Sequence, residues 1–253
     1  MIHLISVVRD FSLYDKLFGR LRDEPGVCLH SIDNRTDNQP IPKRYNDFLD
    51  GYDYAKPGWF VFCHEDFEIR EPLDPLLEGL PTDALYGPVG CARRGPFPFR
   101  HQVFLGQITE CNRDGSGNPW TVGRSVPPMT EVETFDCCCL IVHSSLVEKL
   151  HMRFDEKLAF DLYVEDFCAT AKIRHGIVSR ILPFQATHHS GSSPTERLYR
   201  HLPYLKSKYP TRDFCASCTY FGTPGFPTKA VRMVMALLRS ARQHSRTPAR
   251  GNP

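Results

Sequence analysis

The sequence predicts an α/β domain with a mostly parallel central sheet, flanked by helices and joined by a small antiparallel element. Three observations carry this. Ile2 to Val8 is an apolar run of the length of a fully buried strand. A helical face follows, with Leu13, Leu17 and Leu21 at four-residue spacing beside Tyr14 and Phe18, stopped by Pro25-Gly26. Val27 to Ile32 then reads as a second strand, so strand, helix and strand fit into about 30 residues, the size of a βαβ crossover. Ser12 is the expected cap of the helix.

Beyond Asp33-Asn34 a polar loop runs from Arg35 to Lys43, and a short helix is expected over 45–52. Trp59 to Cys63 is a third buried strand that runs straight into His64-Glu65-Asp66. Ala84 to Val89 reads as a strand and Cys91 to Arg100, rich in Gly, Pro and Arg, as a loop. Val103 to Thr109 is expected to pair with Trp120 to Val122 around the turn 112–117. Glu133 to Val142 reads as one strand, Ser144 to His151 as a helix capped by Ser144, and Glu165 to His175 as a helix stopped by Gly176. A last strand over 177–182 leads to His188-His189, and Pro194 to Lys208 has helical character. The division expected is one domain over 1–227 and a basic helix and tail over 228–253.

Composition narrows the function. With 41% hydrophobic and 24% charged residues the 253-residue chain is globular, and a net charge of +2 argues against nucleic acid as a partner. No apolar run approaches the roughly 20 residues that span a bilayer. The first eight residues read as a strand, not a leader, from which a cytoplasmic protein is expected. Most of the ten cysteines sit in apolar, strand-like contexts and read as buried thiols. Cys215 and Cys218 form a lone C-x-x-C without a second pair at zinc spacing. The basic 228–253 segment leaves two readings open: a packed helix with a solvated basic face, or an amphipathic helix suited to peripheral membrane contact.

Three groups carry chemistry. His64-Glu65-Asp66 follows a buried strand, where ligands of open α/β sheets bind, and a carboxylate there can hold Mn²⁺ or Mg²⁺ against a diphosphate. Glu165-Asp166 opens a helix. Asp166 is the candidate base for deprotonating a hydroxyl acceptor, with Glu165 beside it. His188 and His189 offer imidazoles to complete a metal shell with Asp66. Asn34 and Asn46 are candidates for a base or ribose, and Arg93 and Arg94 for phosphate.

In this order the pieces resemble glycosyltransferase family 2-like proteins of GT-A fold, in the small branch that contains the StrF-type domain. The resemblance covers roughly residues 2 to 195. It rests on Ile5-Ser6-Val7-Val8, Asp33-Asn34, Tyr45-Asn46, Phe60 to Asp66, Phe135-Asp136-Cys137, Phe154-Asp155-Glu156, Tyr163 to Cys168 and His188 to Gly191. It implies a single Rossmann-like GT-A domain, a nucleotide-diphospho-sugar donor, a divalent metal and an inverting transfer to a saccharide or lipid-linked acceptor. Asp66 matches the metal-binding acid of D-x-D, which reads His64-Glu65-Asp66 here. Asp166 matches the base. Val8, Asp33, Asn34, Asn46, His64 and Glu65 fall on the donor side, and Asp136 and Trp120 on the acceptor side. Three competing readings remain: a nucleotidyltransferase, disfavoured because Arg9-Asp10-Phe11-Ser12 has no glycine, a metal-dependent hydrolase using His64, Asp66, His188 and His189, and a non-catalytic sugar-binding module.

Overall fold

In the computed structural model, which describes residues 1–96, 100–190, 196–225 and 230, the βαβ start is present. Strand β1 (Ile2–Val8) runs into helix α1 (Phe11–Phe18), a 3-10 turn (Gly19–Asp23) and β2 (Val27–Asp33), which pairs with β1 in parallel. The α1 cap is Asp10, whose carboxylate accepts from Leu13 N, and not Ser12, whose hydroxyl donates to Asp10. Helix α2 (Ile41–Gly51) starts four residues earlier than the apolar pattern suggests, because Pro42 is well placed in a first turn. It returns the chain to β3 (Trp59–Cys63), parallel to β1 on its other side.

After β3 the chain leaves the central sheet. It forms β4 (Phe67–Ile69), α3 (Leu73–Leu77), β5 (Leu85–Gly87), β6 (Val89–Arg94), β7 (His101–Glu110), β8 (Trp120–Arg124), β9 (Glu131–Val132), β10 (Thr134–Phe135) and β11 (Cys139–His143). Then come α4 (Ser144–Leu150), α5 (Tyr163–His175), β12 (Ser179–Ile181), β13 (Ala186–His188), α6 (Glu196–Lys208) and the hairpin β14 (Asp213–Cys215) and β15 (Tyr220–Gly222). The expected β7–β8 pairing is present, with Ile108 opposite Val122, and Gly176 ends α5 with φ +69°.

The central sheet has the order β2-β1-β3-β11-β5-β12-β9. It is mixed: β2, β1, β3, β5 and β12 point one way, and β11 and β9 run against them. The pairs β2–β1, β1–β3 and β5–β12 are parallel, while β3–β11, β11–β5 and β12–β9 are antiparallel. β5 re-enters in the direction of β3, and β11 fills the place between them running the other way. The antiparallel element is also larger than expected: a six-stranded second sheet ordered β10-β6-β7-β13-β4 with β8 beside β7, antiparallel except for the parallel β7–β13 pair. Cys91 to Arg94, read as loop, belongs to it as part of β6. The expected single strand 133–142 is broken into β10 and β11 at Asp136, whose carboxylate accepts from Cys138 N. The α4 cap is His143 rather than Ser144, whose hydroxyl accepts from Gly58 N.

Side-chain alternation makes the central sheet the middle layer. Ile2, Leu4, Val61, Cys63 and Ile141 pack with Tyr14, Leu17 and Phe18 of α1 and Leu73 of α3. Ile5, Val7, Phe60, Phe62 and Val142 face Tyr45 and Leu49 of α2, Val147 of α4 and Phe167 of α5. Among the described residues no helix is long and apolar enough to cross a membrane. The basic segment 228–253 lies outside the described residues, apart from position 230.

Candidate functional site

From β1 the chain goes to one side, to β2, and then back over β1 to β3. This places a topological switch point at the carboxyl ends of β1 and β3, where a crevice is expected. A cavity of about 280 Å³ opens there. Its floor is His64, Glu65 and Asp66, and one wall is Asn34, Asn38, Gln39, Pro40, Ile41 and Tyr45. Arg9, Arg113 and Arg197 bring positive charge to its rim.

Beside it His64, Asp66 and His188 form a buried cluster. One ligand atom from each lies within 4.8 Å of the others. His188 Nε2 is 3.4 Å and His64 Nδ1 4.0 Å from Asp66 Oδ1. A turn in which Phe67 N donates to His64 O brings His64 and Asp66 to one side. His188 arrives from the second sheet, where it stands opposite Glu110 in the β13–β7 register and opposite Phe67 in β13–β4.

Second contacts fix both imidazoles. Tyr163 has a single hydroxyl proton and donates it to Cys137 O, so its 3.0 Å contact with His64 Nε2 is one in which the ring N–H donates. This leaves the His64 Nδ1 lone pair toward Asp66. His188 Nδ1 lies 2.9 Å from Glu110 Oε1, and the Ser190 hydroxyl donates to the other oxygen of that carboxylate. His188 Nε2 and Asp66 Oδ1 are buried and have no aligned hydrogen-bond partner among the described residues. Buried polar atoms are rarely left so. A carboxylate–histidine relay aimed at an oxygen and a second fixed imidazole could hold a metal ion.

Charge is arranged to match. Burial opposes ionisation of Asp66, but His188, His64 and Arg113 outweigh it and hold its carboxyl well below the usual range. Burial also opposes a charge on His188, yet Asp66 and Glu110 raise its pKa to about 10. Desolvation, with His188 alongside, lowers His64 against the opposing pull of Asp66. Glu110→Gln keeps the shape but removes the relay charge, so metal affinity is expected to fall about 10- to 100-fold by calorimetric titration.

No family model and no curated protein matches this chain. Among solved structures, the crystal structure of A197 from STIV is similar over 74% of this chain and 84% of its own, with 17% identity and a TM-score of 0.36.

The expected site residues divide clearly. Asp66 and His188 meet as anticipated, but their partner is His64 and not His189. The β-strand alternation at the end of β13 turns His189 the other way, to Glu68 (3.2 Å) and Cys111 (3.1 Å). Asn34 lines the cavity, its side-chain amide exchanging two hydrogen bonds with Gln39 and so shaping the wall. Glu65 lines it too, but accepts from Arg9 N and Asp10 N and pairs with Arg113 at 2.7 Å, holding the loop after β1. Val8 is removed to the core on the α1 face, and Val7 lines the cavity in its place. Asp33 is exposed and paired with Arg35. Asn46 is bonded to the Phe154 backbone and Glu156, away from the cavity.

Asp166 is occupied, with Lys208 Nζ at 2.8 Å and Tyr209 OH at 2.7 Å. Glu165 is buried, and burial followed by the charge of Asp136 drives its pKa well above the carboxylate range. Asp136 is half-buried and acts electrostatically on both Glu165 and His64. Trp120 is 44% exposed and stands opposite Glu110 in the β7–β8 register. Arg93 is consumed by Glu133 and Asp213.

Several site residues were not anticipated. Arg113 reaches from the β7–β8 loop to Glu65, to Asp10 (3.4 Å) and to Asp66 (3.6 Å). Arg197 lies 4.3 Å over the Phe160 ring and bonds Asp161, while Phe160 packs on His64 with centroids 5.4 Å apart. The loop turn 112–117, already expected from its Asn, Asp and Gly, was the one signal that could have drawn attention to Arg113.

Proposed function

We propose that the cleft binds a nucleotide-diphospho-sugar with a divalent cation and transfers the sugar to a hydroxyl acceptor, as a glycosyltransferase of GT-A type. The observation that supports this most is the convergence of His64 Nδ1, Asp66 Oδ1 and His188 Nε2 at the edge of an arginine-rimmed cavity at the switch point. The cation, when bound, supplies a Lewis acid for the charge that develops on a departing diphosphate. Arg113 and Arg197 offer planar guanidinium groups suited to phosphate oxygens. The wall of Asn34, Asn38 and Gln39 beside Ile41 and Tyr45 offers amides and an apolar surface for a base and ribose. Two imidazoles in the donor set shift the preference away from Mg²⁺, which favours oxygen ligands, toward Mn²⁺ or another first-row transition ion.

Because Asp166 is held by Lys208 and Tyr209, the acceptor base falls to Asp136, a half-buried carboxylate whose charge acts on both His64 and the buried Glu165. Asp136→Asn is expected to lower transfer by about 10²- to 10⁴-fold while leaving donor binding in place, measured by turnover and by donor titration on the same preparation.

A second reading is favoured by the same donor set, since two histidines and one carboxylate also serve metal hydrolases. Water would then take the place of the acceptor. Product analysis separates the two, because transfer consumes acceptor in step with nucleotide release and hydrolysis does not.

Binding is tested by thermal shift with nucleoside diphosphates, each with and without Mn²⁺. A ligand of the folded state raises apparent stability by mass action. The reading expects one base to give a rise that depends on Mn²⁺, and no response to any diphosphate would overturn it. Metal binding also has a defined pH dependence. Asp66 is held below the carboxylate range and His64 below its ordinary value, so the proton displaced is the one on His188, with its pKa of about 10. Mn²⁺ affinity is therefore expected to rise about tenfold per pH unit between pH 6 and 8, with one proton released per ion, as titration in buffers of different ionisation enthalpy would show.

A further inference from the structure

At the other end of the central sheet, where β1 and β2 begin, a second group of metal-ligating side chains converges. His3 stands opposite Cys28 in the parallel β1–β2 register, and His30 is two residues beyond Cys28 on the same strand face. One ligand atom each of His3, Cys28 and His30 lies within 4.8 Å of the others. None of the three belongs to the strand-end cleft.

The hydrogen bonds fix which atoms carry lone pairs. The Tyr52 hydroxyl donates its one proton to Lys56 O. Its 3.2 Å contact with His3 Nε2 is therefore one in which His3 donates, so His3 carries its proton on Nε2. His3 Nδ1 is then a bare lone pair, 2.9 Å from His30 Nε2, which donates to it. A histidine whose outer nitrogen is held by a hydroxyl and whose inner nitrogen faces a thiol and a second imidazole has the second-shell support of a metal ligand. Packing of His30 against Phe48 and of His3 against Tyr52 and Phe60 holds both rings in place. The cluster borders a cavity of about 520 Å³ that Asp47 and Lys56 also line, which gives an ion access.

We propose that His3 Nδ1, Cys28 Sγ and His30 Nε2 form a second metal site for a borderline-soft divalent ion, Zn²⁺ by preference, in a Cys-His₂ set. Ligand nitrogens on a tetrahedral Zn²⁺ stand about 3.3 Å apart, so the His3–His30 contact has only to open by a few tenths of an ångström. On binding, the Cys28 thiol loses its proton to solvent, and His30 exchanges its Nε2 proton for one on Nδ1. One proton is released per ion, and the ion joins β1 to β2 under the edge of α2. Oxygen-preferring Mn²⁺ and Mg²⁺ are discriminated against by the thiolate.

Co²⁺ reports thiolate ligation through a near-ultraviolet sulfur-to-metal charge-transfer absorption that a site without sulfur cannot give. The full metal-free chain is titrated with Co²⁺, alone and against Zn²⁺. The expected result is a charge-transfer band that saturates with this site, is bleached by Zn²⁺, is lost in Cys28→Ser and is kept in Asp66→Asn. Absence of the band in the unaltered chain, or its persistence in Cys28→Ser, would overturn the proposal. Because the strand-end cluster contains no sulfur, this readout stands or falls separately from the transferase reading.

Discussion

Asp66→Asn is expected to abolish Mn²⁺ binding and to lower sugar transfer by roughly 10³-fold, with little loss of fold. Asp66 Oδ1 is the oxygen on which His64 Nδ1 and His188 Nε2 converge. A Lewis acid that stabilises a departing diphosphate contributes several kcal/mol, and about 4 kcal/mol corresponds to about 10³ in rate. The substitution keeps the volume, and His188 retains Glu110 at 2.9 Å, so its buried imidazolium is not left without a counter-charge. Measuring Mn²⁺ affinity, turnover and melting temperature together distinguishes a lost ligand from a lost fold. Full activity in Asp66→Asn would remove the metal from the reaction.

The second large effect is on stability. Asp166→Ala is expected to destabilise the protein by about 3 kcal/mol, because it removes one carboxylate from Lys208 and the partner of Tyr209 at a site only 2% exposed. The penalty stays at that level because Lys208 keeps Asp155 at 2.6 Å and Tyr209 keeps Thr170 at 2.9 Å. Turnover per folded molecule is expected to stay within about threefold. A base at this position would give the opposite pattern, a loss of 10²-fold or more in rate with little change in the urea midpoint.

Comparing Asp66 with Asp166 shows what was legible. Asp66 follows an apolar strand, and a strand end in a parallel unit has a fixed meaning, so the position announced itself. His64 shares that signal two residues earlier, yet a histidine beside two acids read as a donor-side residue. Only the third ligand, arriving from another sheet, gives it its place. His188 and His189 were adjacent candidates. Which one faces the cleft depends on strand parity, and that requires the β13–β7 register. Asp166 has the local pattern of a helix start, where acids are favoured by the dipole. Its partner Lys208 lies 42 residues on, and nothing local couples them. The first three strands were legible because β1, β2 and β3 are short, largely apolar segments joined by helices. The mixed character of the sheet was not, because the direction of β11 is set by how the path from Phe67 to Phe135, which itself passes through β5 and β9 of the same sheet, brings the chain back between β3 and β5, a property of the whole path rather than of any segment.

The central claim is that His64, Asp66 and His188 hold a divalent cation beside a nucleoside diphosphate. Anomalous scattering from crystals grown with Mn²⁺ and the diphosphate selected by thermal shift tests it most directly. The account predicts one peak within bonding distance of His64 Nδ1, Asp66 Oδ1 and His188 Nε2, with the diphosphate oxygens on its open side toward Arg113. A nucleotide bound in the cleft with no ion at that triad, or an ion held by His189 and Glu68 instead, would contradict it.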